Sequence, residues 1–324
     1  MIITSPSDHR KYKYIKLKNQ MEILLIEDIK SPTFCVTMNV GVGYYDEFFY
    51  GDKPVNGLAH FLEHMLFLGS KKYPNEDTFQ NYIATNGGST NAYTTGDHTC
   101  YYYTMQPDLE IFKTSLDIFA QFFISPSFNA GSVEREIKAV NSEHNKNLTS
   151  DSWRKFQIIK LCSNKHNPFS SFSTGNSDTL NIDNICNTVK DFYNSTYSAN
   201  KMKLIVLSDN IDKIEPYIIS LFEQVKNKNK DGYKIMHKPL ITNKLIKIVP
   251  IKTHHTLSII WNTSFMKDNY HKFKPIEFLL YLLNYSGPYS FTLYLKNKHL
   301  IESFSADIID TVDKYVIIEV ETKL

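Results

Sequence analysis

Gly57-Leu-Ala-His-Phe-Leu-Glu-His-Met-Leu-Phe-Leu-Gly69 carries His60, Glu63 and His64 in the spacing H-x-x-E-H. Residues four apart on a helix stand one above the other, and residues three apart emerge near the same face. The spacing therefore predicts two imidazoles on one helix face with a carboxylate beside them. Two imidazoles are two of the three protein ligands of a catalytic zinc, and the carboxylate is the general base such a site needs. Two histidines on one helix face are also common as ordinary surface or core residues, so the context matters. Phe61, Leu62, Met65, Leu66, Phe67 and Leu68 surround the polar trio, and the helix reads as buried nearly all round. Buried imidazoles need partners, because polar burial without them is costly. One metal ion satisfies both. Gly57 and Gly69 read as the helix boundaries.

A tetrahedral zinc with one open position needs a third protein ligand. Val133-Glu-Arg-Glu-Ile-Lys-Ala-Val-Asn-Ser-Glu-His-Asn-Lys-Asn147 reads as a helix, with Ile137 and Val140 in its apolar stripe. Glu136 and Glu143 are seven residues apart, hence on one face two turns apart. Spacing alone leaves two readings open, a solvated acidic face and a source of the missing ligand.

His60 to Gly69, Gly87-Gly-Ser-Thr-Asn-Ala-Tyr93, Ser142-Glu-His144 and Ser152-Trp-Arg154 together resemble the pitrilysin family of zinc metallopeptidases, in its insulysin branch. H-x-x-E-H is the inverzincin order of the motif. The resemblance continues through Ala120-Gln-Phe-Phe123, Thr174-Gly-Asn176 and Lys247-Ile-Val-Pro-Ile-Lys252. It implies one zinc ion per chain, held by His60, His64 and Glu143, with Glu63 as the base that activates water. It implies that Glu136 stands behind the ligands and orients them. Asn91, Ala92 and Tyr93 match the edge strand that pairs with substrate backbone. Phe67, with Trp153 and Phe156, matches aromatic residues around the site.

The chain has 324 residues, 42% of them hydrophobic, which is enough for two domains with real cores. A net charge of +2 argues against nucleic acid as a partner. Cys35, Cys100, Cys162 and Cys186 are far apart and read as reduced thiols. The N-terminus lacks the apolar core of a signal peptide and no run is long enough to span a bilayer, so the expected location is cytoplasmic.

Strands are expected at 21–27 and 34–40, then a loop containing Asp46, Gly51 and Pro54 before the metal helix. A helix over 78–84 and a hairpin of 90–94 with 99–104 come next, followed by helices near 108–123 and 131–148. A strand at 202–207 and a helix at 211–225 close the first part. Residues 226–240 read as a linker. The order then restarts, with strands at 244–250 and 257–261, helices at 275–283 and near 289–298, and strands at 301–309 and 314–322. The fold class is α+β, a largely antiparallel mixed sheet covered by helices and repeated once as an incomplete second copy. The expected domains are 1–232, metal-binding and catalytic, and 238–324, without metal ligands.

The expected function is a zinc-dependent endopeptidase acting on peptides or small unfolded chains. The alternatives are a non-catalytic member that binds peptides or partners, and a half-enzyme that needs a separate C-terminal half. Expected partners are peptide substrates, with a C-terminal half-enzyme or a second copy of the chain.

Overall fold

The computed structural model describes residues 2–51, 54–241, 243–252, 255–264 and 270–324. It divides into two compact units, Met1–His144 with Ser173–Tyr233, and Asn145–Phe172 with Lys234–Leu324.

Unit 1 is built on strands β1 (Lys11–Lys16), β2 (Glu22–Glu27), β3 (Phe34–Val40), β4 (Ser89–Thr94), β5 (Thr99–Met105) and β6 (Met202–Ser208). They form one sheet in the order β1-β2-β6-β3-β5-β4. Only the β2–β6 pair is parallel. Burial alternates along β2 and β3: Ile23 and Leu25 are buried, then Phe34, Val36, Met38 and Val40. This period of two marks a sheet with one face packed on a core.

The helices of unit 1 are α1 (Tyr44–Phe48), α2 (Leu58–Leu66), α3 (Thr78–Thr85), α4 (Leu109–Ile124) and α5 (Val133–Leu148, up to the unit boundary). After α6 (Asp151–Cys162), which lies in unit 2, come α7 (Ser177–Leu180), α8 (Ile185–Thr196) and α9 (Ile211–Phe222). One apolar cluster joins the sheet to α2, α3, α4, α5, α7, α8 and α9. Phe79, Tyr103, Phe112, Phe119 and Phe122 form its aromatic centre.

Unit 2 holds α6, β7 (Thr256–Ser264), α10 (Tyr270–Phe273), α11 (Pro275–Asn284), α12 (Phe291–Asn297), β8 (Ser303–Val312) and β9 (Tyr315–Lys323). Its sheet is antiparallel in the order β7-β9-β8. The internal repeat is visible in this order. In unit 1, strand β3, the three helices α1 to α3 and the hairpin β4–β5 give β3-β5-β4; in unit 2, β7, the three helices α10 to α12 and β8–β9 give β7-β9-β8. Helix α11 takes the place of α2 but reads Pro-Ile-Glu-Phe-Leu-Leu-Tyr-Leu-Leu-Asn and has no histidine. No helix among the described residues is long and apolar enough to cross a membrane.

Two expectations change. The loop before the metal helix contains α1, with Asp46 inside it; Asp52 and Lys53 lie outside the described residues. The expected strand at 244–250 is irregular. Apolar residues there fall on both parities, at 245, 246, 248 and 249, so no single strand face is defined, and Pro250 cannot donate to a ladder. Residues 145–172 are held within unit 2 by their own contacts. Lys155 pairs with Glu319 at 2.7 Å and with Glu321. Asn164 and Asn167 donate to the carbonyls of Lys238 and His237 at 3.0 and 2.7 Å.

The start of α2 is fixed by a carboxylate from α1. Glu47, 1% exposed, accepts from the Gly57 N–H at 3.0 Å and the Ala59 N–H at 2.7 Å. The first N–H groups of a helix lack intrahelical partners, and a negative charge suits that end. Asp46 beside it is paired with Lys201 at 3.2 Å, and burial still pushes its carboxyl above the usual range. Glu47→Ala strands two buried N–H groups and should destabilise the protein by about 2–4 kcal/mol. The check is the urea midpoint followed by tryptophan-independent far-UV circular dichroism; an unchanged midpoint refutes the capping role.

Candidate metal centre

Helix α2 carries both histidines on one face, with ring centroids 4.8 Å apart and planes near perpendicular. Each ring is fixed through Nδ1. His60 Nδ1 lies 2.7 Å from the Thr174 carbonyl, and His64 Nδ1 lies 3.3 Å from Glu136 Oε2. A carbonyl and an ionised carboxylate only accept, so each Nδ1 carries the hydrogen and donates it. That leaves a bare lone pair on each Nε2, the form in which imidazole binds a metal.

Both Nε2 atoms face Glu143 on α5. His60 Nε2 is 3.4 Å from Glu143 Oε2, and His64 Nε2 is 3.7 Å from Glu143 Oε1. All three ligand atoms lie within 4.8 Å of one another. With zinc bonds of about 2.0–2.2 Å, neighbouring ligand atoms of a tetrahedral site stand about 3.3–3.6 Å apart. The cluster is close to that spacing and slightly expanded. Two imidazoles and one carboxylate are a fitting donor set for zinc with a fourth position open. The histidine side chains are 17% and 19% exposed against 50% for Glu143, so the cluster opens on the Glu143 side.

The electrostatics agree. Burial alone pushes the His60 imidazolium down, but the Glu143 hydrogen bond, the Glu63 charge and the Thr174 carbonyl outweigh it and hold the pKa above its ordinary value. The pocket favours a positive charge at this point.

Close backbone approach makes the Thr174 contact available. Gly57, at the start of α2, has φ +86°, and a Cβ there would stand 2.3 Å from the Gly175 Cα. Only glycine suits both the left-handed backbone and this contact. The motif Thr174-Gly-Asn176 therefore packs on the metal helix, with its carbonyl on His60.

Glu63 is buried beside the histidines, and burial pushes its carboxyl above the usual range against the pull of His60, Thr94 and His64. Its Oε2 accepts from Thr94 Oγ1 at 2.5 Å. Asn91, Ala92 and Tyr93 lie on β4, which pairs only with β5 and so has a free edge among the described residues. Thr95 N–H donates to the His98 carbonyl at 2.8 Å, whereas Ala92 N–H donates to its neighbour Asn91 Oδ1 at 2.9 Å. Antiparallel pairing alternates inward and outward groups, which places the backbone of Thr90, Ala92 and Thr94 on the free edge. Phe67 is on the same helical face as the histidines, a turn past His64, and packs against Phe122, Phe79 and Tyr101. Trp153 and Phe156 belong to unit 2.

Sequence reading did not find Glu47, Thr94 or the Thr174 carbonyl. Adjacent acids in the apolar stretch Tyr44-Tyr-Asp-Glu-Phe48 were the available signal for Glu47; the motif Thr174-Gly-Asn176 marked its segment without giving the carbonyl a role, and Thr94 is a common residue type with no signal.

The pattern of the family described as Insulinase (Peptidase family M16) matches residues 23–162, and that of the Peptidase M16 inactive domain matches 186–322. The chain is 40% identical over 296 residues to insulin-degrading enzyme-like 2 of Arabidopsis thaliana, covering 88% of this chain and 30% of that protein. It is 37% identical over 309 residues to insulin-degrading enzyme of Homo sapiens, covering 92% of this chain and 29% of that protein. The crystal structure of pitrilysin superposes with a TM-score of 0.86 at 28% identity, over 100% of this chain and 35% of the other. The chain thus spans about a third of the length of these relatives.

If Glu136 orients His64, Glu136→Gln should weaken zinc binding by about 10–100-fold. Competition against a chromophoric chelator measures this, and an affinity equal to the parent's rules the role out.

Proposed function

This chain belongs to the M16 insulinase family of peptidases, and from that premise we propose that it is the zinc-bearing part of a metalloendopeptidase acting on peptides or small unfolded chains. The observation that carries the reading is the convergence of His60 Nε2, His64 Nε2 and the Glu143 carboxylate, with both Nδ1 hydrogens already committed. In this reading residues 1–232 form the metal-binding catalytic domain, and 238–324 form a second domain without ligands.

His60, His64 and Glu143 hold one zinc, and Glu136 and Thr174 keep the rings aimed. Zinc, when bound, supplies a Lewis acid that lowers the pKa of water and polarises the scissile carbonyl. Glu63 accepts the proton of the attacking water and returns it to the departing amine. Its burial suits this: a carboxyl pushed upward is a better proton carrier near neutral pH. Substrate adds as a strand along the free edge of β4 at Asn91, Ala92 and Tyr93. Backbone hydrogen bonds supply most of that recognition, which tolerates many sequences. In the same reading Phe67, packed on Phe79, Tyr101 and Phe122, contributes an apolar wall near the substrate.

A second reading keeps the same centre but assigns turnover to an assembly. The relatives named above are about three times as long as this chain. A separate C-terminal half, or a second copy of the chain, would then complete the enclosure of substrate.

Glu63→Gln should keep zinc and lose about 100–10,000-fold in cleavage of an internally quenched fluorescent peptide. Metal analysis of the same sample checks the first half. Cleavage at the parent rate would remove Glu63 from the role of base.

A further inference from the structure

One residue faces both the base and the free strand edge. Thr94 ends β4, and its Oγ1 lies 2.5 Å from Glu63 Oε2. Its backbone falls on the outward phase of the strand, set by the Thr95–His98 hydrogen bond and by the turned-out Ala92 N–H. The direction of the side-chain bond is determined. An ionised carboxylate has no hydrogen to give, so the threonine hydroxyl donates. The other neighbour of that hydroxyl, Thr99 Oγ1 at 3.4 Å, commits its own hydrogen to the Val42 carbonyl at 2.8 Å. Thr99 is fully buried, so one neighbour of the Thr94 oxygen is a fixed group.

The geometry points to Thr94 as a positioning residue: its hydroxyl holds Oε2 of Glu63 and leaves Oε1 to exchange protons, while its backbone holds the substrate strand. This rests on the zinc-peptidase reading above and adds a coupling to it. A single residue sets the register of the bound strand and the orientation of the base. Hydrogen bonds to charged groups are roughly twice as strong as neutral ones, and small misplacements of reacting groups are costly in rate.

The test uses Thr94→Val, which keeps shape and backbone but removes the donor, Thr94→Ser, which restores it, and Glu63→Gln as the reference. Each zinc-loaded chain is assayed for metal content, for kcat and KM on a quenched fluorescent peptide, and for affinity toward a peptide hydroxamate. The hydroxamate, whose proton the base accepts on binding, gives a readout that does not need turnover. Thr94→Val should keep zinc and KM, lower kcat about 10–100-fold and weaken the hydroxamate about tenfold or more. Thr94→Ser should return both to within about threefold of the parent, and Thr94→Val should add little on the Glu63→Gln background. Parent-like kcat and hydroxamate affinity in Thr94→Val, or an equal loss on both backgrounds, overturns the proposal. Loss in Thr94→Val that Thr94→Ser fails to restore overturns it as well. Cleavage by Glu63→Gln at the parent rate is a different failure, that of the base assignment itself.

Discussion

The structure around the candidate metal centre follows from a constraint on two nitrogen atoms. His60 and His64 sit on a helix that is apolar apart from Glu63 and almost wholly buried, so every polar atom they carry must be accounted for. Each ring spends its Nδ1 hydrogen on a fixed acceptor, the Thr174 carbonyl for one and Glu136 for the other. Both Nε2 lone pairs are then left facing one carboxylate, Glu143. Three electron-pair donors without a hydrogen between them would repel one another, and a cation, either a proton or a metal ion, relieves that. The rise in the His60 pKa is the proton's version of the same preference.

Much of unit 1 can be understood as support for that arrangement. Glu47 anchors the first N–H groups of α2, and the Gly57–Gly175 approach brings the Thr174 carbonyl to His60. Helix α5 presents Glu136 and Glu143 two turns apart, with the buried Ile137 and Val140 on the adjoining side of the same helix. Strand β4 stays at the sheet edge, with Glu63 tied to its last residue. The second copy shows which features are fold and which are chemistry. It keeps the strand order β7-β9-β8 and the helix α11, but has no donor set there.

Legibility in the sequence followed the range of the interactions. The metal helix, the β4–β5 hairpin, α4, α5 and the elements of the repeat were readable because apolar spacing or turn residues mark them locally. Helix α8 was not, although Ile185, Val189, Phe192 and Tyr193 are buried at helical spacing. Its asparagine, serine and threonine content has weak helical preference, and packing decided the outcome. The segment 244–250 failed in the opposite way, since it is apolar without a consistent face. In the candidate site, the pairing of His60 with His64 was legible because H-x-x-E-H is a strong local pattern, whereas the approach of Glu143 was expected from the family resemblance and not from its spacing to Glu136. Their supports were not: Glu47 acts across ten residues, Thr94 across thirty-one and Thr174 across more than a hundred. Nothing in a single sequence marks which threonine or which carbonyl the fold will bring to a given ring.

The central claim is that two imidazoles and one carboxylate of this chain hold a single metal ion. X-ray absorption at the zinc edge of the zinc-loaded protein tests it most directly. The account predicts a first shell of nitrogen and oxygen only, at about 2.0–2.1 Å, with outer-shell scattering from two imidazole rings. A sulfur shell at about 2.3 Å, or the scattering of a single imidazole, would contradict it.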